Sequence, residues 1–138
     1  MADPVERLGH RGYIGSRRYN RDLPPQHIQN LVVRDYCHKN GFTYLLSVTE
    51  YGMQGCYLML EDVLNEISAL AGIVLYSIWM LPADREERQR ICRRVFLAGA
   101  TLHGAVERFV LEDEESLKRL DDLWDLSALS ETAIAPIK

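Results

Sequence analysis

Five arginines and no acid fall between residues 7 and 21, and this stretch closes on Ser16-Arg17-Arg18-Tyr19-Asn20-Arg21. Guanidinium groups fork onto phosphate or carboxylate oxygens in pairs. The pattern reads as an anion-binding loop. Arg17, Arg18, Tyr19 and Asn20 are its contacts, and Ser16 is a hydrogen-bond donor or nucleophile. The competing reading is a solvated basic loop that pairs with acids of the last helix. The spacing fits neither a P-loop nor the dinucleotide glycine fingerprint, so no cofactor is expected.

A second group follows in Glu50-Tyr51-Gly52-Met53-Gln54-Gly55-Cys56-Tyr57. Glu50 has the chemistry of a general acid or base, and equally that of a capping carboxylate. Cys56 opens a helical pattern, and the positive end of a helix stabilises a thiolate. Most free cysteines are instead small buried hydrophobes. Tyr51, Met53 and Tyr57 are candidate substrate contacts beside them. His27 opens an earlier helix, as a third acid–base candidate, with Gln26, Asn30 and Arg34 as polar neighbours. His103 reads as a satisfied core histidine, His10 and His38 as surface residues. No Cys/His grouping has zinc spacing, so no metal is expected. Arg85, Arg88, Arg90, Arg93 and Arg94 stand among Asp84, Glu86 and Glu87, which reads as a salt-bridged outer face.

The elements that position these residues alternate strand and helix four times. Strands are expected over 11–15, 43–49, 73–79 and 100–106. Helices are expected over 26–40, 56–70, 84–98 and 113–124. Ile28, Leu31, Val32 and Tyr36 are the expected buried face of the first helix; Leu60, Val63, Leu64 and Ile67 that of the second. The apolar run 73–79 suits a strand buried on both faces. Such alternation predicts a single α/β domain: a four-stranded, mainly parallel sheet with helices on both faces. Residues 1–10 read as a flexible leader, 11–126 as the domain and 127–138 as a tail or arm. In an open sheet of this kind ligands bind beyond the carboxyl ends of the strands, where Ser16 and Glu50 fall.

Composition sets the outer bounds. The chain has 138 residues, a formal charge of −4 and 47% apolar residues, the profile of one soluble domain. Three cysteines, an odd number, argue for free thiols and a reducing, cytoplasmic setting. The acidity argues against a duplex-DNA binder, and no apolar run is long enough for a membrane span.

Two resemblances appear in these motifs. Over residues 11–107 the chain resembles the catalytic domain of serine recombinases. Tyr13-Ile14-Gly15-Ser16 resembles the strand that delivers their serine, Glu50 the acid after the second strand, and Glu107 the Glu that ends a later strand. The resemblance implies their fold. Those enzymes hold the scissile phosphate with an Asp-Arg pair and a further Arg after the third strand. Here that stretch is Trp79-Met80-Leu81-Pro82-Ala83, which removes the recombinase chemistry. The second resemblance is to small proteins of sporadically distributed carbohydrate biosynthesis clusters. It rests on residues 12–17, 25–30, 34–37, 49–53 and 56–61 (Gly-Tyr-Ile-Gly-Ser-Arg, Pro-Gln-His-Ile-Gln-Asn, Arg-Asp-Tyr-Cys, Thr-Glu-Tyr-Gly-Met, Cys-Tyr-Leu-Met-Leu-Glu). It implies a role beside sugar-nucleotide or surface-polysaccharide genes.

The expectation is an enzyme acting on a phosphorylated or nucleotide-activated sugar, by isomerisation, epimerisation or group transfer. Its partners are the sugar phosphate or sugar nucleotide and a second copy of the chain, with no nucleic acid and no membrane. The alternative is a non-catalytic recombinase-like module that binds a partner or forms an oligomeric scaffold.

Overall fold

The computed structural model describes residues 7–16, 23–51 and 57–133. Five strands and four helices follow in chain order: β1 (His10–Gly15), α1 (Gln26–Lys39), β2 (Tyr44–Glu50), α2 (Leu58–Asn65), β3 (Gly72–Leu75), α3 (Arg85–Leu97), β4 (Thr101–Gly104), β5 (Phe109–Leu111) and α4 (Glu114–Ala133). The sheet order is β2-β1-β3-β4-β5. The first four strands run parallel, and β5 returns antiparallel to β4.

Strand side chains alternate between two faces. Tyr13, Ile73, Leu75, Leu102 and Leu111 pack into one core with Leu60, Val63, Leu64, Ile91, Val95, Leu117 and Leu120. Helices α2, α3 and α4 therefore cover that face. Ile14, Val74 and Ala105 pack with Val33, Tyr36 and Cys37 under α1 on the other. The α/β sheet with helices on both faces is as expected, with one strand more. The three-residue β5 is too short to carry a pattern of its own.

Several boundaries move for physical reasons. The apolar run 73–79 is not one strand. β3 ends at Leu75, and Ile78–Met80 form a 3₁₀ turn whose Ile78 and Met80 stay in the core. α2 begins at Leu58 rather than 56, and a 3₁₀ turn over Ile67–Ala69 takes its last residues. The buried face of α1 is Gln29, Val33, Tyr36 and Cys37, while Ile28 and Leu31 are exposed. Asp84 caps α3 as expected, its carboxylate accepting from the Glu87 N–H at 3.0 Å. Gly99 follows α3 at φ +84, the left-handed stop that glycine permits.

The expected leader and tail are both partly structural. Arg7 donates to the carbonyls of Leu70 at 2.7 Å and Ala98 at 2.6 Å. His10 opens β1 and is 6% exposed, not a surface residue. Its ring stacks on Phe42 at 3.7 Å and meets the edge of His103 at 5.3 Å. His103 is held as a core histidine should be: Nδ1 pairs with the Tyr36 hydroxyl and Nε2 with Thr101 Oγ1, each at 2.8 Å. At the other end α4 continues to Ala133, well past residue 126.

The arginines of α3 form the expected ion-paired face, bridging α2 and α4. Arg90 and Arg94 reach Glu61, Arg93 reaches Glu114, and Arg85 reaches Asp125. Arg88 departs from that face. It is buried and pairs with Asp121 at 2.9 Å.

Cys37 and Cys92 are free and buried, and burial pushes their thiols up to about 11 and about 12. Neither is expected to react promptly with a disulfide reagent at pH 8 in the folded protein. Titration should therefore find no more than one fast thiol natively and three in denaturant; two fast native thiols would contradict this packing.

Candidate functional site

The carboxyl end of β1 is built from three side chains that bind backbone. Gln29, on the buried face of α1, accepts from the Gly15 N–H at 2.9 Å and donates to the Gly15 carbonyl at 2.7 Å. It also donates to the Pro24 carbonyl at 2.8 Å. Gln29 thereby fixes where β1 releases the chain. Ser16 is exposed at that point, its N–H and its hydroxyl both donating to the Glu50 carbonyl, at 3.0 and 3.1 Å.

Glu50 ends the neighbouring strand and is buried. Its Oε1 accepts from the Tyr13 hydroxyl at 2.8 Å, and its carboxylate accepts the Met59 and Leu60 N–H groups at 3.1 and 3.2 Å. Those N–H groups belong to the first turn of α2, where a helix has unpaired donors and favours negative charge. The carboxylate thus ties β1, β2 and α2 together. Tyr57 immediately precedes that turn, and burial, with the Glu50 charge second, raises its phenol above the usual value.

The structure separates the remaining candidates. Gln26 and His27 are exposed in the first turn of α1, at the same end of the sheet as Ser16. Tyr51 is exposed just after Glu50. Asn30 and Arg34 lie lower, at Tyr44. The Tyr44 hydroxyl donates to Asn30 Oδ1 at 3.3 Å, and the Arg34 guanidinium sits 5.7 Å from the Tyr44 ring centre. Tyr44 pairs in register with His10, and Glu50 with Gly15. The Tyr44 hydroxyl that holds Asn30 also bonds Ser47, in the middle of β2. Arg17, Arg18, Tyr19, Asn20, Met53 and Cys56 lie outside the described residues. Among the described residues no group of His, Cys, Asp and Glu is placed to hold a metal ion.

A second cluster lies at the ends of β3 and β4, outside the candidates that the sequence pattern points to. Ser77 Oγ donates to Glu107 at 2.7 Å, and the Ile78 N–H donates to the same carboxylate at 2.9 Å. Gly104 is required there: a Cβ would lie 2.4 Å from Ile78 Cγ2 and 2.9 Å from Glu107 Oε1. The available signals were a serine inside an apolar run and a Glu just past a strand. Around this cluster Ile78, Met80 and Leu81 are fully buried. The end of β3 is closed by apolar side chains.

No family model matches the chain, and no curated protein matches it. Solved structures do. The N-terminal catalytic domain of TP901-1 integrase is similar with a TM-score of 0.62 and 14% identity, over 91% of this chain and 99% of that one. A resolvase family site-specific recombinase from Streptococcus pneumoniae is similar with a TM-score of 0.62 and 9% identity, over 89% of this chain and 91% of that one. The chain has the fold of a resolvase-type catalytic domain. This corrects the sugar-enzyme expectation: the similar folds belong to recombinase domains. The role in carbohydrate biosynthesis, the sugar phosphate or sugar nucleotide as ligand and the exclusion of nucleic acid go with it. Among the described residues no helix is long and apolar enough to cross a membrane.

Proposed function

We propose that the chain is a recombinase-fold module that works by binding and assembly and does not itself cleave a phosphodiester. The turn after β3 carries this reading. Phosphoryl transfer needs donors or cations aimed at the charge that develops on phosphate oxygens. At the place where serine recombinases carry an Asp-Arg pair, this chain buries Met80 and Leu81. Its Ser77 and Glu107 are bonded to each other. Glu50 is, in this reading, a positioning residue that fixes α2. The reading includes nucleic acid as a partner and a cytoplasmic setting. Kinship with the carbohydrate-cluster proteins stays within it as a likeness of sequence that brings no substrate.

A second reading is strand cleavage by Ser16, favoured by its exposed hydroxyl at the carboxyl end of β1. Incubation with supercoiled plasmid decides between the two. The module reading predicts no nicking and no protein–DNA adduct on a denaturing gel, with Ser16→Ala indistinguishable from wild type. Nicking that is lost in Ser16→Ala overturns it.

A further inference from the structure

A cleft of about 490 Å³ opens between α1 and the β4–β5 hairpin. Its lining is about evenly polar and apolar. Val32 from α1 and Ala105, Val106 and Val110 from the hairpin supply the apolar part, and Val106 is 50% exposed. Four of the five polar residues are already engaged. Tyr36 covers β4, its hydroxyl 2.8 Å from His103 Nδ1. Asn40 donates its side-chain amide to the Tyr36 carbonyl at 2.8 Å. Asp35 and Lys39 pair with each other at 3.0 Å and cancel.

Arg108 is the fifth, and it meets no partner among the described residues. Its neighbour Glu107 does not compensate it, because that carboxylate is held by Ser77 Oγ at 2.7 Å and the Ile78 N–H at 2.9 Å. The backbone singles out the same residue. At φ +55, Arg108 is the only non-glycine residue in left-handed backbone among the described residues. Glycine adopts that conformation freely, and a residue with a Cβ is strained in it. Side chains held there gather at ligand clamps and other functional sites. The reversal of the chain from β4 to β5 has no need of an arginine; the cleft that its side chain lines does.

We propose that this cleft binds a small organic monoanion, a carboxylate with an apolar body, its head on Arg108 and its body along Val106 and Val110. A guanidinium forks onto both oxygens of such a head. One uncompensated cation matches one negative charge, since a second would be desolvated without a partner. The volume lies within the roughly 300–1,000 Å³ usual for small-molecule sites. The cleft uses no residue of the Ser16 and Glu50 end, so the proposal stands whichever way the plasmid assay falls.

Fluorescence titration of the full chain with anilinonaphthalene sulfonate, a monoanion with a flat apolar body, tests it. Wild type is expected to take up one equivalent with a dissociation constant below about 100 µM. Octanoate should displace the dye, and octanol should not. Arg108→Gly relieves the backbone and removes the charge. It is expected to melt no lower than wild type and to bind the dye at least about tenfold more weakly. Arg108→Lys keeps charge and strain alike and should stay within about threefold of wild type. Val106→Glu, a surface change, sets a carboxylate against the bound anion and should abolish uptake while circular dichroism shows the fold intact. Wild-type affinity in Arg108→Gly overturns the proposal, as does displacement by octanol equal to that by octanoate, or a wild type that binds no dye saturably. So does an Arg108→Gly protein that melts several degrees lower, for the arginine would then serve the fold.

Discussion

Replacing Arg88 with alanine is expected to cost the fold about 3–5 kcal/mol, the usual result of removing one partner from a buried ion pair. The size follows from the surroundings. Arg88 is 1% exposed, and its guanidinium donates to Asp121 and to the Pro82 and Ala83 carbonyls. Asp121 also accepts from Gln89 at 2.7 Å. Alanine leaves the buried Asp121 carboxylate with only Gln89 and the partly exposed Arg85, at 3.5 Å, and takes the donor from the buried Pro82 carbonyl. It also removes the cation 4.7 Å from the Trp124 ring centre. A domain of this kind is stable by roughly 5–15 kcal/mol, so the variant sits near its unfolding midpoint in mild denaturant. Urea unfolding followed by tryptophan fluorescence measures it directly, because the only two tryptophans, Trp79 and Trp124, pack edge to face at this point. Arg88→Met with Asp121→Leu removes both charges and should recover most of the loss. A cost below about 1 kcal/mol for Arg88→Ala, the level of an exposed pair, would show that this pair does not hold α4.

The second large effect is acid sensitivity. Burial, with the charge of His10 second, lowers His103 from 6.5 to about 4, and burial also lowers His10. The groups around His103 are His10 from β1, Tyr36 from α1, Phe42 after α1 and Thr101 on its own strand; none of these is a carboxylate. A histidine with a depressed folded pKa binds its proton more readily in the unfolded chain. Its contribution to stability is therefore whole above pH 6.5 and is lost as the pH falls toward 4. For His103 alone the loss is roughly 2 kcal/mol by pH 5 and about 3 kcal/mol by pH 4. His10 adds to it with the same sign. His103→Gln is expected to flatten the stability profile between pH 6.5 and 4, while leaving the carboxylate titrations common to both proteins. Parallel profiles for wild type and variant would contradict the buried-imidazole account.

Much of the fold was legible because local signals agreed with the final packing. Leu60, Val63, Leu64 and Ile67 fall on one helical stripe and are buried together. Asp84 with acids behind it marked the start of α3. The errors arise where one residue's duty overrode the pattern. Gln29 is polar, so apolar periodicity pointed to Ile28 and Leu31; the Gly15 backbone needed an amide and turned the helix to supply it. His10 looks like a surface residue until Phe42, thirty-two positions away in sequence, closes over it. The candidate site was legible as a place, the carboxyl ends of β1 and β2, because topology alone fixes that. The duties of its residues were not. Whether Glu50 faces a ligand or a helix start depends on α2, a separate element, arriving against it.

The reach of Arg7 has a consequence for the order in which the protein becomes complete. Its guanidinium closes on a carbonyl 91 positions later in the chain. At the usual 5–20 residues per second of synthesis, roughly 5–18 s separate the two groups at birth. During that interval the arginine has no native carbonyl at the end of α3 to meet. The last turn of α3 is thus finished by the first described residue of the chain, and a nascent chain stalled short of Ala98 lacks that closure however well β1 and α1 have formed.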